Sequence, residues 1–418
     1  MPMKIVLVPI GHGISGPLSG AQNRYRNLAN QLRLRKNELI WFEQATCFDV
    51  NDRREAEVVT YKDWRVLGRP ISIARDLSSS YFLNLLRILK RRDPELIYIT
   101  YLSGILSARI AASLTGKRIR IIYDAQNVES EFAREVVAND TNQPQLARAF
   151  IPIYTSLMER IVCKFLTDRI VTVSERDRAI LITKYGLKPE RIRVVPSGCN
   201  IGLSHETNNK QSIRSRLGIG SDSVVLFFHG LYAHPSNREA LDLIRTYIAP
   251  RLAKSTRDIL FLVGGNGVPV FKEGIVQSIG YVKDLQEVLS IVDIAVVPLI
   301  HGAGTKLKVL DYLSKGLPIV TTAKGAEGLE MTNLVNAIIL PDVNEDFIRA
   351  IEFLVEKKDE RIRLGDFARK LAEERYDWRI IGSTLERVLE EAVNDNTADS
   401  DIDCVNNPKV PSTKGGCA

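Results

Sequence analysis

The sequence predicts an α/β protein made of two doubly wound, parallel-sheet domains. Three observations carry this. Apolar, β-branched runs recur along the chain without alternation, as strands buried on both faces require. Segments of helical periodicity separate them, and strand–helix alternation builds a parallel sheet. The length, 418 residues, exceeds one ordinary core and suits two domains of about 200 residues each.

In the first half the strands are "KIVLVPI", "LIYITYL", "IRIIYDAQN", "DRIVTVS" and "IRVVPSG". The helices between them include "AQNRYRNLANQLRLRKN", "SYFLNLLRILKRR" and "ERDRAILITKYG". The pattern pauses in a polar, glycine-bearing stretch, so residues 1–200 form one domain and 201–222 a linker. It restarts with "VVLFFHG", "DILFLVGG", "VQSIGYV", "DIAVVPL", "LPIVTT" and "NAIILP". That second domain spans 223–377, and "YDWRIIGSTLERVLEEAV" supplies a final amphipathic helix over 378–393. The remainder, 394–418, is polar and expected to be disordered. Its "DID", Asp401 to Asp403, reads as part of a flexible tail rather than a metal site.

Composition is that of a folded chain, 45% hydrophobic and 26% charged. The five cysteines are scattered without a CxxC pair, which fits a reducing compartment and offers no zinc pattern. No signal-peptide core or membrane-spanning run stands out, so a cytosolic or membrane-face location is expected. Charge is uneven: residues 1–200 carry 31 Lys+Arg against 20 Asp+Glu, and the rest 26 against 30. A basic half can meet nucleic acid, an anionic membrane or a phosphorylated substrate. The absence of an RNP-like aromatic signature, zinc finger or helix-turn-helix argues against nucleic acid.

The stretch "HGAGTKLKVLDYLSKGLPIVTT", His301 to Thr322, carries the clearest chemistry. Gly302 and Gly304 let backbone approach a ligand closely. A helix capped by Gly304 or Thr305 would turn free N–H groups and a positive dipole end toward that ligand. Lys306 and Lys308 in its first turn oppose the dipole, which is unfavourable unless an anion binds there. Asp311 is spaced to reach polar hydroxyls, while Val309, Leu310 and Leu313 supply a buried face. Gly316 and Pro318 end the helix.

With its continuation to "TAKGAEGLE", this stretch resembles the donor-site signature of retaining GT-B glycosyltransferases of family 4. "VLFFHGLYAHPSNREAL" resembles the strand and glycine loop opening that family's second domain, and "GYVKDLQEVL" its base-binding loop. "YDAQNVES", "VTVSERDRAIL" and "VVPSG" resemble parts of its acceptor domain, so the likeness covers nearly the whole chain. The resemblance implies GT-B architecture, two Rossmann-like domains facing a cleft, with the final helix crossing back to the first domain. It also implies a nucleoside-diphosphate sugar donor, no separate cofactor and no metal. Lys308 would meet the diphosphate with Lys306 beside it, and Asp311 would bind ribose hydroxyls. Gly20 would face the diphosphate from the first domain, Gly230 would lie in the second domain's glycine loop, and Tyr281, Val282 and Lys283 would face the base. Gly302, Gly304 and Thr305 complete the donor loop.

Three positions depart from the family pattern. Its first acid would fall at Ala303, a frequent histidine is Gln126, and Asp311 replaces glutamate. Glutamine can hydrogen-bond a sugar hydroxyl but cannot take up a proton or carry charge. His12 and Asn127 are candidates for the acceptor, with Asp124 beside Asn127; capping of the next helix explains the last two as well. His229 reads as structural or as a donor contact, and His234 as a turn residue or a site group. A retaining transferase acting on a glycan or polyprenyl-phosphate-linked acceptor is the leading expectation, and a catalytically inactive sugar-nucleotide-binding partner or regulator the alternative. A nucleotide-sugar epimerase is a third. Basic helices bearing Arg24, Arg26, Arg33, Arg35 and Lys36, and Arg87, Lys90, Arg91 and Arg92, suggest peripheral attachment to an anionic membrane.

Overall fold

The structure is a computed structural model describing residues 2–9, 20–44, 57–61, 65–66, 69–70, 72–137, 144–202, 210–302 and 304–395. The first domain begins β1 (Lys4–Val8), α1 (Gly20–Leu34), β2 (Glu38–Gln44) and β3 (Glu57–Tyr61), followed by a short antiparallel pair, β4 (Arg65–Val66) and β5 (Arg69–Pro70). It continues through α2 (Ser79–Arg92), β6 (Leu96–Ile99), α3 (Ile105–Ser113), β7 (Arg120–Ala125), α4 (Glu129–Phe132) and α5 (Gln145–Ile161). β8 (Arg169–Thr172), α6 (Glu175–Tyr185) and β9 (Ile192–Val194) complete it. Its sheet runs β3-β2-β1-β6-β7-β8-β9, every pairing parallel. β6, β7 and β8 are buried throughout, the condition their unbroken apolar runs require.

The second domain begins with α7 (Lys210–Arg216), β10 (Val224–His229), α8 (Pro235–Leu243) and α9 (Ala249–Leu252). β11 (Ile259–Gly264), β12 (Lys272–Glu273), β13 (Val276–Ser278), α10 (Leu285–Leu289) and β14 (Ile294–Val297) follow. It ends with α11 (Leu307–Lys315), β15 (Ile319–Thr322), α12 (Ala323–Ala326), β16 (Ile338–Leu340), α13 (Glu345–Glu356) and α14 (Lys358–Leu371). Its sheet is ordered β12-β13-β11-β10-β14-β15-β16, parallel except for the edge strand β12. Strand order reverses at β1 and β6 in the first sheet and at β10 and β14 in the second. Loops leaving neighbouring strands there diverge to opposite faces and open a crevice.

Several expectations change in the structure. The stretch read as linker contains α7, and Ile213 and Ile219 are buried in the second domain's core. β2, β3, α3 and α5 fall outside the runs singled out in the sequence. β2 begins and ends in polar residues, and Pro152 interrupts the helical pattern of α5. α15 (Trp378–Asn394) inserts Ile381, Leu385 and Leu389 into the cluster formed by Ile5, Leu7 and Leu28 of the first domain. Asn394 closes this helix, and the Asp395 carboxylate accepts from Arg169 at 2.5 Å, so ordered chain extends into the stretch expected to be disordered. Residues 396–418, including the "DID", lie outside the described residues.

Candidate functional site between the domains

The loop after β14 lies at the second sheet's reversal point. Gly302 and Gly304 take φ of 118° and 68°, backbone that other residues rarely adopt. That left-handed turn delays the helix: Lys306 is the N-cap in extended conformation, and α11 starts at Leu307, not at the expected Gly304 or Thr305 cap. Lys306 therefore stands at the helix entrance and Lys308 in its first turn. The expected inner face is present, with Val309, Leu310 and Leu313 buried and Gly316 ending the helix at φ 69°. The Thr305 hydroxyl oxygen is buried without a hydrogen-bond partner.

Lys306 Nζ donates to the carbonyls of Gly302 at 3.2 Å and Gly304 at 2.6 Å. Lys308 Nζ donates to Asn237 Oδ1 at 2.6 Å and lies 4.2 Å from the Phe228 ring centroid. A neutral amide and an aromatic ring do not neutralise an ammonium, so burial with the repulsion of Lys306 lowers Lys308 to about 7. Burial lowers Lys306 to about 8, with Glu327 opposing. Asp311 keeps a third of its side chain exposed, yet burial raises its carboxyl to about 7. Asn237 and Phe228 were not singled out in the sequence, because nothing in one-dimensional spacing puts position 237 beside position 308.

His229 belongs to the scaffold of this site. The Tyr312 hydroxyl accepts from the His229 backbone N–H at 3.1 Å and lies 2.8 Å from Nδ1. The other ring nitrogen, Nε2, lies 3.8 Å from Asp311. Burial and Lys308 depress this histidine to about 3, so it is neutral. His234 shares a contact of 2.8 Å with Ser236 Oγ at the start of α8. The Gly230 backbone N–H donates to the Gly264 carbonyl at 3.0 Å, and Val282 packs beside Gly264. Tyr281 is exposed next to it, as is Lys283.

The first domain closes the other side. Gly20 opens α1, and a Cβ there would sit 2.9 Å from Leu307 Cδ1, so the N-termini of α1 and α11 meet. A side chain on Gly304 would collide with Asn127 Oδ1. Gln126 Nε2 lies 3.4 Å from Asp124 Oδ2. Between the domains, Arg176 pairs with Glu327 at 2.7 Å and Lys324 with Glu135 at 3.2 Å.

Other candidates prove structural or fall elsewhere. Asp124 neither caps a helix nor faces the cleft: it is fully buried and takes both Arg24 Nη2 at 2.9 Å and Arg24 Nε at 3.4 Å. Asn127 is not the cap of α4 either, since Val128 occupies that position and Glu159 accepts from the N–H of Glu129 at 2.7 Å and of Ser130 at 3.2 Å. Arg24 and Arg35, read as parts of a basic surface, hold Asp124 and the Arg379 carbonyl of α15 instead. His12 and Ala303 lie outside the described residues.

Residues 223–357 match the family described as Glycosyl transferases group 1, and residues 18–203 match Glycosyltransferase Family 4. Each match falls on one of the two facing domains. Together the two matches span both domains of the chain. A curated MMP alpha-(1->4)-mannosyltransferase of Mycolicibacterium hassiacum is 23% identical over 243 residues, 56% of this chain and 57% of that protein. The chain thus spans little more than half the length of this relative. Among solved structures, Anabaena HepE in complex with UDP superimposes with a TM-score of 0.71 at 15% identity, covering 93% of this chain and all of the other (100%). A Rickettsia africae glycosyltransferase gives 0.70 at 12% identity, covering 94% and 100%. These structural likenesses establish the GT-B fold of the chain.

Proposed function

We propose that this protein transfers a sugar from a nucleoside-diphosphate sugar to a glycan or lipid-linked acceptor with retention of anomeric configuration. The observation that carries the reading is the meeting of two helix N-termini at Gly20 and Leu307, with Lys306 and Lys308 beside them at lowered pKa. Such a place gains most from a bound anion, which restores full charge to both lysines. UDP in the HepE complex supports a nucleotide donor for this fold.

In this reading Lys308 and Lys306 hold the diphosphate, and Thr305 donates its unused hydroxyl. Gly302, Gly304 and Gly230 let backbone approach. Asp311 takes ribose hydroxyls, while Tyr281, Val282 and Lys283 border the base. As the bond to the sugar breaks, charge grows on the leaving diphosphate, and the pre-set lysines and helix ends stabilise it without reorganising. The acceptor hydroxyl enters on the face that the leaving group vacates, so the departing phosphate can receive its proton. Gln126 and Asn127, across from Gly304, would orient the sugar or the acceptor. This chemistry asks for no resident cofactor or metal.

Gln126 also favours a second reading, because its amide cannot shuttle a proton: a sugar-nucleotide-binding partner without turnover. Thermal unfolding with a panel of nucleoside diphosphates and their sugars tests the donor site. A ligand at 100 times its dissociation constant adds about 2.7 kcal/mol, several degrees in midpoint. A shift in wild type that Lys308→Ala loses supports the grip; no shift with any nucleotide would sink it. Binding without sugar transfer or hydrolysis would select the non-catalytic reading.

A further inference from the structure

The helix α5 presents a surface that the proposed reaction does not use. Leu146, Phe150, Ile153 and Leu157, spaced four, three and four apart, fall on one helical face. Their exposures are 85%, 65%, 70% and 56%. The core has no claim on them: among the residues of α5 only Glu159 is buried, and it points inward to hold α4. Between α5 and the end of β6 lies a cavity of about 100 Å³, lined by Leu102, Ile151, Tyr154 and Met158 on its apolar side and by Asp76 and Glu129. The helix therefore rests over the domain rather than being pressed into it. Phe165 extends the apolar surface at 62% exposure. Next to this end, α3 packs on the 162–166 turn and bears a second exposed row, Leu106, Ile110 and Leu114.

Charge specifies what covers this face. From Pro144 to Leu166 the sequence holds one acid, the buried Glu159. Arg160 is exposed and follows Leu157 by three positions, and half-buried Lys164 follows by seven. Four large apolar side chains in line, continued by cations and with no accessible acid between Pro144 and Leu166, form an interfacial pattern: the apolar row enters the acyl boundary while the cations meet lipid phosphates.

We infer that α5 is a docking helix that lays the first domain on an anionic lipid bilayer. This differs from attachment through the basic residues of α1, where Arg24 and Arg35 are held by internal partners. The inference does not depend on catalysis. If the proposed function also holds, docking brings lipid-linked acceptors to the domain carrying Gln126 and Asn127, since Glu159 ties α5 to α4 just beyond them.

The test is sedimentation of the full chain with vesicles of phosphatidylcholine, with and without phosphatidylglycerol, at low and high salt. Wild type should bind the anionic vesicles and release with salt. The exposed pair Phe150→Ser with Ile153→Ser should weaken binding about tenfold or more, and Arg160→Gln with Lys164→Gln should flatten the salt dependence. Unchanged melting midpoints would show that both variants fold. Absence of wild-type binding to anionic vesicles overturns the inference, as does equal binding by the serine variant. A dimer in wild type that the serine variant abolishes, without vesicle binding, assigns the face to a second copy of the chain and overturns it as well.

Discussion

The helices α1 and α11 both carry basic residues near their starts, Arg24 and Arg26 in one and Lys306 and Lys308 in the other, and their N-termini meet at Gly20 and Leu307. In α1 the guanidinium of Arg24 is 1% exposed and bound to Asp124, Pro196 and Ser197. In α11 Lys308 is matched by a neutral amide and a ring. The charge is met by a carboxylate in the first case and, at Lys308, by neutral groups in the second. A basic helix start therefore indicates a ligand only when its counter-charge is missing from the fold.

The largest expected effect breaks the comparison on the structural side. Arg24→Ala leaves the fully buried Asp124 carboxylate unpaired and should cost about 3–5 kcal/mol of stability, read by denaturant unfolding. Removing both partners should cost less than the sum of the two single changes. If Arg24→Ala leaves stability unchanged but abolishes nucleotide binding, the two helices are alike after all.

On the ligand side the change should fall on rate. Lys308→Ala should reduce kcat about 100 to 1,000 fold, the loss expected when one charge-stabilising donor is removed. Its folded state gives up a desolvated cation, so the melting midpoint should fall little. A variant that unfolds as readily as Arg24→Ala would make Lys308 part of the scaffold.

The finest test is the proton count. Free Lys308 stands at about 7 and free Lys306 at about 8. A bound diphosphate stabilises their charged forms and raises both values. Below pH 7 the lysines are already mostly protonated, and binding takes up few protons. Between about pH 7 and 9 binding should take up protons, and the lysine contribution to affinity should decline as pH rises. Calorimetry in two buffers of different ionisation enthalpy measures the uptake, and Lys308→Ala should reduce it. Uptake unaffected by that substitution would place the titrating group elsewhere.

Much of the fold was legible because parallel strands announce themselves: burial on both faces demands unbroken runs such as "RIIYDA" and "VVLFFH". β2 and α5 were less so, since their patterns depend on what packs against each face. In the site, Gly302, Gly304 and Lys308 could be singled out from local sequence, as a glycine turn before a lysine-bearing helix is a short-range arrangement. Asn237, Phe228 and Tyr312 as partners could not, because their contacts join separate strand ends.

By itself the sequence determined the alternation of strand and helix and the glycine–lysine loop, features of periodicity and residue type within a few turns of chain; the apolar row on α5 emerged only with the fold. Only the tertiary structure decided which charges remained available. Arg24 and Lys308 are both cations near helix starts, but Asp124, one hundred residues away, lies beside the first, and Asn237 beside the second. Burial near a counter-charge fixes an ion in the scaffold, whereas burial near a neutral group keeps its field for a ligand.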